Sequence, residues 1–245
     1  MKIIAVDIGN TSITCARVTN RSVDGKFSFL TGDKAYTKLK RSKLFGSCSP
    51  VIISSVVPEA TKRFIQAMPK GCHHVFVVGK NLKVPIVNRT QFPKQVGQDR
   101  LVNAYQAFLK YRSACIAVDF GTAITFDVVS KKGEYLGGII SPGVELTLNA
   151  LFEKTALLPK IRLQHPKALV GRNTVESIRS GCSYGLGALC DGILERLLKQ
   201  LPKPCPIIAT GGYAPYIRRY SKLIKTVDEN LTLKGLYSIC HEQEA

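Results

Sequence analysis

Asp7-Ile8-Gly9-Asn10-Thr11 closes an apolar run that opens at Lys2 and leads into Ser12-Ile13-Thr14. Asp119-Phe120-Gly121-Thr122 closes the run Ala114-Cys115-Ile116-Ala117-Val118 and leads into Ala123-Ile124-Thr125-Phe126. The same phrase (strand, Asp-x-Gly turn, second strand) thus occurs twice, a domain's length apart. Glycine in such a turn removes the Cβ that would obstruct a phosphate, so that backbone N–H groups can point inward. Asn10, Thr11 and Ser12 add side-chain donors, and a carboxylate at a strand's end can hold a cation directly or through water. Either copy alone reads equally as an ordinary hairpin, because Gly-Asn is common turn chemistry. The duplication points to two related halves that clasp a nucleotide's phosphates, and so to a phosphotransferase.

The rest of the chain supports two α/β halves. Strands are expected near Lys2–Val6, Ser12–Val18, Lys26–Leu30, Pro50–Val56 and His73–Val78, with a helix from Pro58 to about Ala67. The stretch Lys80–Pro93, punctuated by Pro and Asn, reads as irregular. From Asp99 the pattern turns helical, with Leu101, Ala104, Tyr105 and Phe108 on one face. The second half continues through strands at Thr122–Val129 and Glu134–Ile140, a helix over about Gly185–Leu201, a strand at Pro206–Thr210 and a closing amphipathic segment near Leu231–Cys240. Strand blocks followed by helices, repeated, predict an α/β chain divided into residues 1–113 and 114–245, with a tight hinge near Ser113.

Composition narrows the function. The 245 residues suffice for real cores, and a hydrophobic fraction of 45% with 21% charged residues is that of a globular chain. No apolar run approaches the roughly 18 residues of a membrane span. The short run after Met1 ends in Asp7 and does not read as a signal peptide, so a cytoplasmic protein is expected. The eight cysteines form no C-x-x-C pair and read as free structural thiols. His73-His74 and the Cys240-His241 pair lack further ligands at usable spacing for a metal. The net charge of +18 is the compositional anomaly. It is spread along the chain with clusters at Lys34–Lys43 and Arg218–Lys225, and it lacks a reading helix or base-stacking motif. A basic surface that attracts anionic substrates is therefore preferred to nucleic-acid binding.

Asp99 has two readings. It can take the proton that an alcohol must lose when it attacks a γ-phosphoryl group, or it can simply cap the helix that begins there. Arg100 beside it can hold or orient an anion. The ordered set DIGNT, VGQDR (Val96–Arg100), VDFGTAITFD (Val118–Asp127), YLGGIISPG (Tyr135–Gly143), GRNTVESIRSG (Gly171–Gly181) and IATGG (Ile208–Gly212), closed by LTLKGL (Leu231–Leu236), resembles the type III pantothenate kinase family over essentially the whole chain. The resemblance implies an actin/hexokinase/Hsp70-type fold of two RNase H-like halves, each a mixed sheet flanked by helices, with the nucleotide site between them. It implies ATP-dependent phosphorylation of pantothenate on its 4′-hydroxyl, the first step towards coenzyme A. It also implies Mg²⁺, a monovalent cation (K⁺ or NH₄⁺), and a homodimer whose substrate site lies near the subunit interface.

Residue by residue, the resemblance makes Asp7, Ile8, Gly9, Asn10, Thr11, Ser12, Ile13 and Thr14 the first ATP phosphate loop, with Asp7 reaching Mg²⁺, if need be through water. Gly97, Gln98, Asp99 and Arg100 become the substrate segment, with Asp99 as general base. Asp119 becomes the monovalent-cation ligand, Thr122 an ATP contact, and Thr174 a pantothenate contact. Two features depart from the family pattern: Thr90 stands where a substrate-contacting Tyr is usual, and Gln98 replaces a small residue. They keep two alternatives open, a kinase for another small-molecule alcohol and a regulatory or nucleic-acid-associated relative.

Overall fold

The run that opens at Lys2 forms β1 (Lys2–Ile8), the central strand of a five-stranded sheet. The computed structural model describes residues 1–32, 36, 39, 42–45, 49–69 and 74–244; Cys48, Cys72, His73 and most of the basic cluster Lys34–Lys43 lie outside them. The strand is apolar almost throughout because both its faces are covered. Ile4, Val6 and Ile8 enter one core and Ile3 and Ala5 another, all fully buried. β2 (Ser12–Thr19) and β3 (Val23–Leu30) follow as an antiparallel meander. β4 (Val51–Ser55) and β5 (Val75–Val77) then add parallel to β1, giving the order β3-β2-β1-β4-β5. A parallel pair needs a crossover. Helix α1 (Pro58–Ala67) supplies it, with Pro at its start and Ala60 and Phe64 buried in the first core. After the two-residue strand β6 (Val87–Asn88), α2 (Gln98–Tyr111) packs Val102 and Tyr105 into the second core.

The second unit repeats the plan. β7 (Cys115–Phe120), β8 (Ala123–Val129) and β9 (Glu134–Pro142) form the antiparallel meander. β10 (Ile207–Thr210) and β11 (Thr226–Val227) add on the β7 side, β10 parallel to β7 and β11 to β10, so five of the six strands of this sheet run β11-β10-β7-β8-β9, the mirror of the first list. The equivalence extends to residues. Asp7 pairs with Thr14 and Asp119 with Thr125 across their hairpins. Helix α3 (Val144–Glu153) and the 25-residue α4 (Thr174–Leu198) lie between β9 and β10, and the single turn α5 (Ala214–Ile217) lies between β10 and β11. Leu186, Cys190 and Leu194 of α4 bury against Ile116, Val118, Ile124 and Phe126.

The chain returns to the first unit at its end. Helix α6 (Leu231–Glu244) sets Leu233, Leu236 and Ile239 beside α2 on the Ile3/Ala5/Ile52 face, each such burial contributing about 2 kcal/mol. Tyr105 donates to Glu242, and Thr232 donates to Asn103 at 2.8 Å. The compact units are Met1–Lys110 with Asn230–Ala245, and Tyr111–Glu229. The division expected from sequence, at Ser113 with everything after it in one half, therefore differs in the assignment of the last segment. Two helical expectations also change: α4 begins at Thr174 rather than near Gly185, and α3 was not anticipated. The six described cysteines are free, and burial pushes the thiols of Cys115 and Cys190 up to about 12, leaving them inert.

Candidate active site

In the first unit, the β1–β2 hairpin is tied at its tip by backbone and by one threonine. Gly9 N–H donates to Ser12 O at 2.9 Å. Thr31 grips the turn from outside, its hydroxyl donating to Gly9 O at 2.8 Å and its N–H to Thr11 O at 3.0 Å. Asn10, Thr11 and Ser12 are left exposed. Ile8 and Ile13, by contrast, are fully buried core side chains, so only their main chain can serve a phosphate. The hydroxyl of Thr14 is engaged with that of Ser28 at 2.8 Å.

Asp7, half-buried, ends β1 on the face that carries Ile3 and Ala5. Its register partner on β4 is Ser54, whose side chain shares that face because paired residues of a parallel ladder point the same way. Ser54 is fully buried, and its hydroxyl has no hydrogen-bond partner among the described residues. A buried hydroxyl rarely goes unmatched, so this one calls for a water or a ligand. Sequence reading passed over Ser54; the signal was a Ser-Ser pair ending an otherwise apolar strand.

Helix α2 brings the second group of residues to the same place. It packs on the Asp7/Ser54 face, and its first turn meets the loop that leaves β5, since Gln98 lies against the backbone of Gly79. β1, β4 and β5 are parallel, so the hairpin tip and the start of α2 occupy the same end of the sheet. Ligands of α/β sheets bind at that end, beyond the strands' carboxyl termini. Asp99 is the second residue of α2, and its Oδ1 accepts the N–H of Arg100 at 2.9 Å. An N-cap carboxylate would reach two or three residues ahead, so Asp99 is not spent as a helix cap. Burial is the larger influence on its carboxyl and raises it above 3.8, against the lowering by the Arg100 N–H and then the Arg100 charge. A Cβ at Gly97 would come within 2.5 Å of Asp99 Oδ1, so the missing side chain at Gly97 makes room for the carboxylate. The Thr90 hydroxyl and N–H both donate to Asn88 Oδ1, at 2.8 and 3.0 Å.

The second unit builds a matching end. Asp119, half-buried, ends β7 beside Thr210 of β10, in the relation that Asp7 bears to Ser54. Gly211 (φ 90°) passes so close that a Cβ there would lie 2.4 Å from Asp119 Oδ1. Gly143, the residue before α3, donates its N–H to Thr122 O at 3.1 Å, so α3 starts beside the hairpin tip and offers it a helix N-terminus. Tyr213 holds α3 to the Gly211-Gly212 turn by donating to Glu145 at 2.9 Å; burial, then this carboxylate, push its hydroxyl up to about 12. Thr174 opens α4 just after Asn173, whose side chain accepts the N–H of Glu176 at 2.9 Å. It lines an apolar cavity of about 410 Å³ with Thr147, Leu151, Leu158, Ile178 and Leu189.

Residues 3–196 match the family described as type III pantothenate kinase. A type III pantothenate kinase of Anaeromyxobacter sp. (strain K) is 38% identical over 98% of this chain and 99% of its own. That of Solibacter usitatus is 46% identical over 77% of this chain and 73% of its own. Among solved structures, a Campylobacter jejuni chain assigned to the Baf family of transcriptional activators superposes with a TM-score of 0.63 at 19% identity, over 99% of both chains. A ROK family glucokinase of Streptomyces griseus, in complex with glucose and AMPPNP, gives 0.59 at 10% identity over 99% of this chain and 100% of its own. At such identities the likeness is one of fold, that of the actin- and hexokinase-type ATPases, which the doubled sheet order displays. The family is carried instead by the sequence matches that run through both hairpins and the segment leading to Asp99: the chain belongs to the type III pantothenate kinases.

Proposed function

We propose that this protein transfers the γ-phosphoryl group of ATP to the 4′-hydroxyl of pantothenate, the first step towards coenzyme A, with Asp99 as general base. The observation that carries the assignment of the base is a half-buried carboxylate, raised in proton affinity, at the same end and face of the sheet as the Asp7 hairpin. Phosphoryl transfer asks the protein mainly for positioning and charge neutralisation, so a carboxylate within reach of the acceptor hydroxyl suffices to take its proton. The exposed Asn10, Thr11 and Ser12 donate to ATP phosphates, as does the main chain of Ile8, Gly9 and Ile13; Thr122 makes the equivalent contact from the second unit. Gly97, Gln98, Arg100 and Thr174 are assigned to pantothenate, with Arg100 taking its carboxylate.

Two ions belong to this reading. Asp7, with the unpaired Ser54 hydroxyl beside it, offers oxygen donors that suit Mg²⁺ held through water and by substrate phosphates, where the metal neutralises charge. Asp119, closely surrounded by main chain at Gly211, suits K⁺ or NH₄⁺. The decisive assay is ATP turnover with pantothenate and Mg²⁺, in K⁺ and again in Na⁺. Turnover that requires pantothenate and K⁺ is expected, and Asp119→Ala should lose the preference for K⁺. An unchanged cation response would remove Asp119 from that role. Absence of turnover by folded protein, with activity on another alcohol or with salt-dependent DNA binding, would favour the alternative readings.

We also infer a homodimer with the second unit as its contact. Ser177, Gly181 and Gly185 open a strip of α4 along the apolar cavity, and nothing lies within 4 Å of a Cβ built at either glycine. Leu157, Leu169 and Val170, 91%, 64% and 78% exposed, lie in the segment that leads into α4. Apolar surface of this kind marks an interaction site. Light scattering should give twice the chain mass of 26.9 kDa, and Gly181→Glu should give a monomer with weakened pantothenate binding. A monomeric native protein would end this inference. A cytoplasmic location belongs to the same reading, and the need for ATP supports it.

A further inference from the structure

Gly79 touches no predicted site residue by its own side chain, having none, yet it sits under one. It follows β5 with φ 83°, and a Cβ built on it would come 2.7 Å from Cδ, 2.9 Å from Cγ and 3.0 Å from Oε1 of Gln98. Gln98 is the first residue of α2 and the immediate neighbour of Asp99. We propose that Gly79 is a positioning residue for the general base: its bare backbone is the seat on which Gln98 rests, and this seat fixes the first turn of α2 and with it the Asp99 carboxylate. The inference rests on the assignment of Asp99 as base.

The seat is rigid from beneath. Gly79 N–H donates to Leu82 O at 2.8 Å, and Lys80 and Asn81 donate to Val77 O at 3.0 and 3.2 Å. The Asn81 side chain closes the turn, accepting the N–H of Val77 at 2.6 Å and donating to Val75 O at 3.2 Å. Val78 and Leu82, on either side, are buried in the core that also holds Val102 and Tyr105 of α2. Turn and helix are thus packed as one piece, and a methyl group added at Gly79 cannot be absorbed by moving the turn. It must move Gln98. On the other side of Asp99 the clearance is also used up, since Gly97 stands within 2.5 Å of Oδ1 at its would-be Cβ. Gly97 thus makes room for the carboxylate itself, and Gly79 for the Gln98 side chain beside it. The long Gln98 side chain is accommodated here by the absence of a side chain at Gly79.

A displacement of about 1 Å at a reacting group can cost on the order of 10²-fold in rate. Gly79→Ala is therefore expected to lower kcat by about 10- to 100-fold with KM for ATP little changed. Ala at positive φ is also strained, but that strain is present whatever residue 98 is. The test is a double-mutant cycle. In a Gln98→Ala background the same Gly79→Ala change should cost less than about 3-fold, because the clash has been removed and the strain has not. An equal cost in both backgrounds, or a loss of stability with kcat per folded molecule unchanged, would overturn the proposal. A second readout is independent of turnover: ¹³C NMR titration of the Asp99 carboxyl should shift in Gly79→Ala and return towards the native value in the double variant. If wild-type protein fails to phosphorylate pantothenate while the titration behaves as stated, the activity assignment fails and the positioning stands. If the titration is the same in all four proteins, the positioning fails.

Discussion

Asp99→Asn should lower kcat by about 10²- to 10⁴-fold, the usual contribution of a general base, and should leave ATP binding and the fold in place. The amide keeps the shape of the side chain and can still accept the Arg100 N–H now taken at 2.9 Å, so geometry is preserved while proton acceptance is lost. The same variant should be more stable than the native protein at neutral pH. Burial is the first cause that raises the Asp99 carboxyl above its ordinary 3.8, which means that folding favours its protonated form. The sign follows from linkage. Below the ordinary value both folded and unfolded chains hold the proton and the charge costs nothing. As pH rises through the raised folded value the native protein must carry a partly desolvated anion, and above it the full cost is present. The advantage of Asn should thus be present at neutral pH and vanish in acid. Thermal melts of both proteins across that range, alongside turnover, check the two halves together. Near-native turnover would remove Asp99 from the chemistry. A variant less stable at neutral pH would mean that the carboxylate serves the fold instead. A site residue that costs stability while supplying activity is the expected trade.

Gly211→Ala should be the most damaging small substitution in the second unit. The added methyl would lie 2.4 Å from Asp119 Oδ1 and 2.6 and 2.7 Å from main-chain atoms of Phe120, and the backbone there has φ 90°. Phe120 is 1% exposed in the middle of the core and β10 is hydrogen-bonded to β7, so neither strand can retreat. Overpacking and strained backbone together should cost about 3 kcal/mol, read as a lower urea midpoint. Turnover under native conditions should fall as well, because Asp119 is the group displaced. Gly212→Ala is the matched control. Nothing stands within 4 Å of its Cβ, and it should change stability by less than about 1 kcal/mol. Equal effects at the two positions would show that the close approach to Asp119 carries no weight.

Much of this was legible in the chain because it is local. Alternation, turn chemistry and apolar runs act over a few residues, and the two Asp-x-Gly hairpins, the strand–helix–strand at Val51–Val77 and the helix from Gln98 all follow from them. The early start of α4 was legible too: Asn173 followed three residues later by Glu176 is a helix-start signal, overlooked because Ser and Gly dilute the apolar pattern behind it. Other features belong to packing. An amphipathic face such as that of α6 says that it must be covered, not which sheet will cover it, and Leu233, Leu236 and Ile239 join the first unit's core. The sequence lists Ser54, Gly79 and Gln98 with nothing to connect them to Asp7 or Asp99. Strand register sets Ser54 beside Asp7, and the path of the loop after β5 sets Gly79 beneath Gln98. By itself the sequence determined the two hairpins, the family and the identity of the chemical groups, since these rest on residue type and short spacing. Only the tertiary structure decided which groups share an end of a sheet and how little room each is given, because distances across strands and helices are fixed by packing.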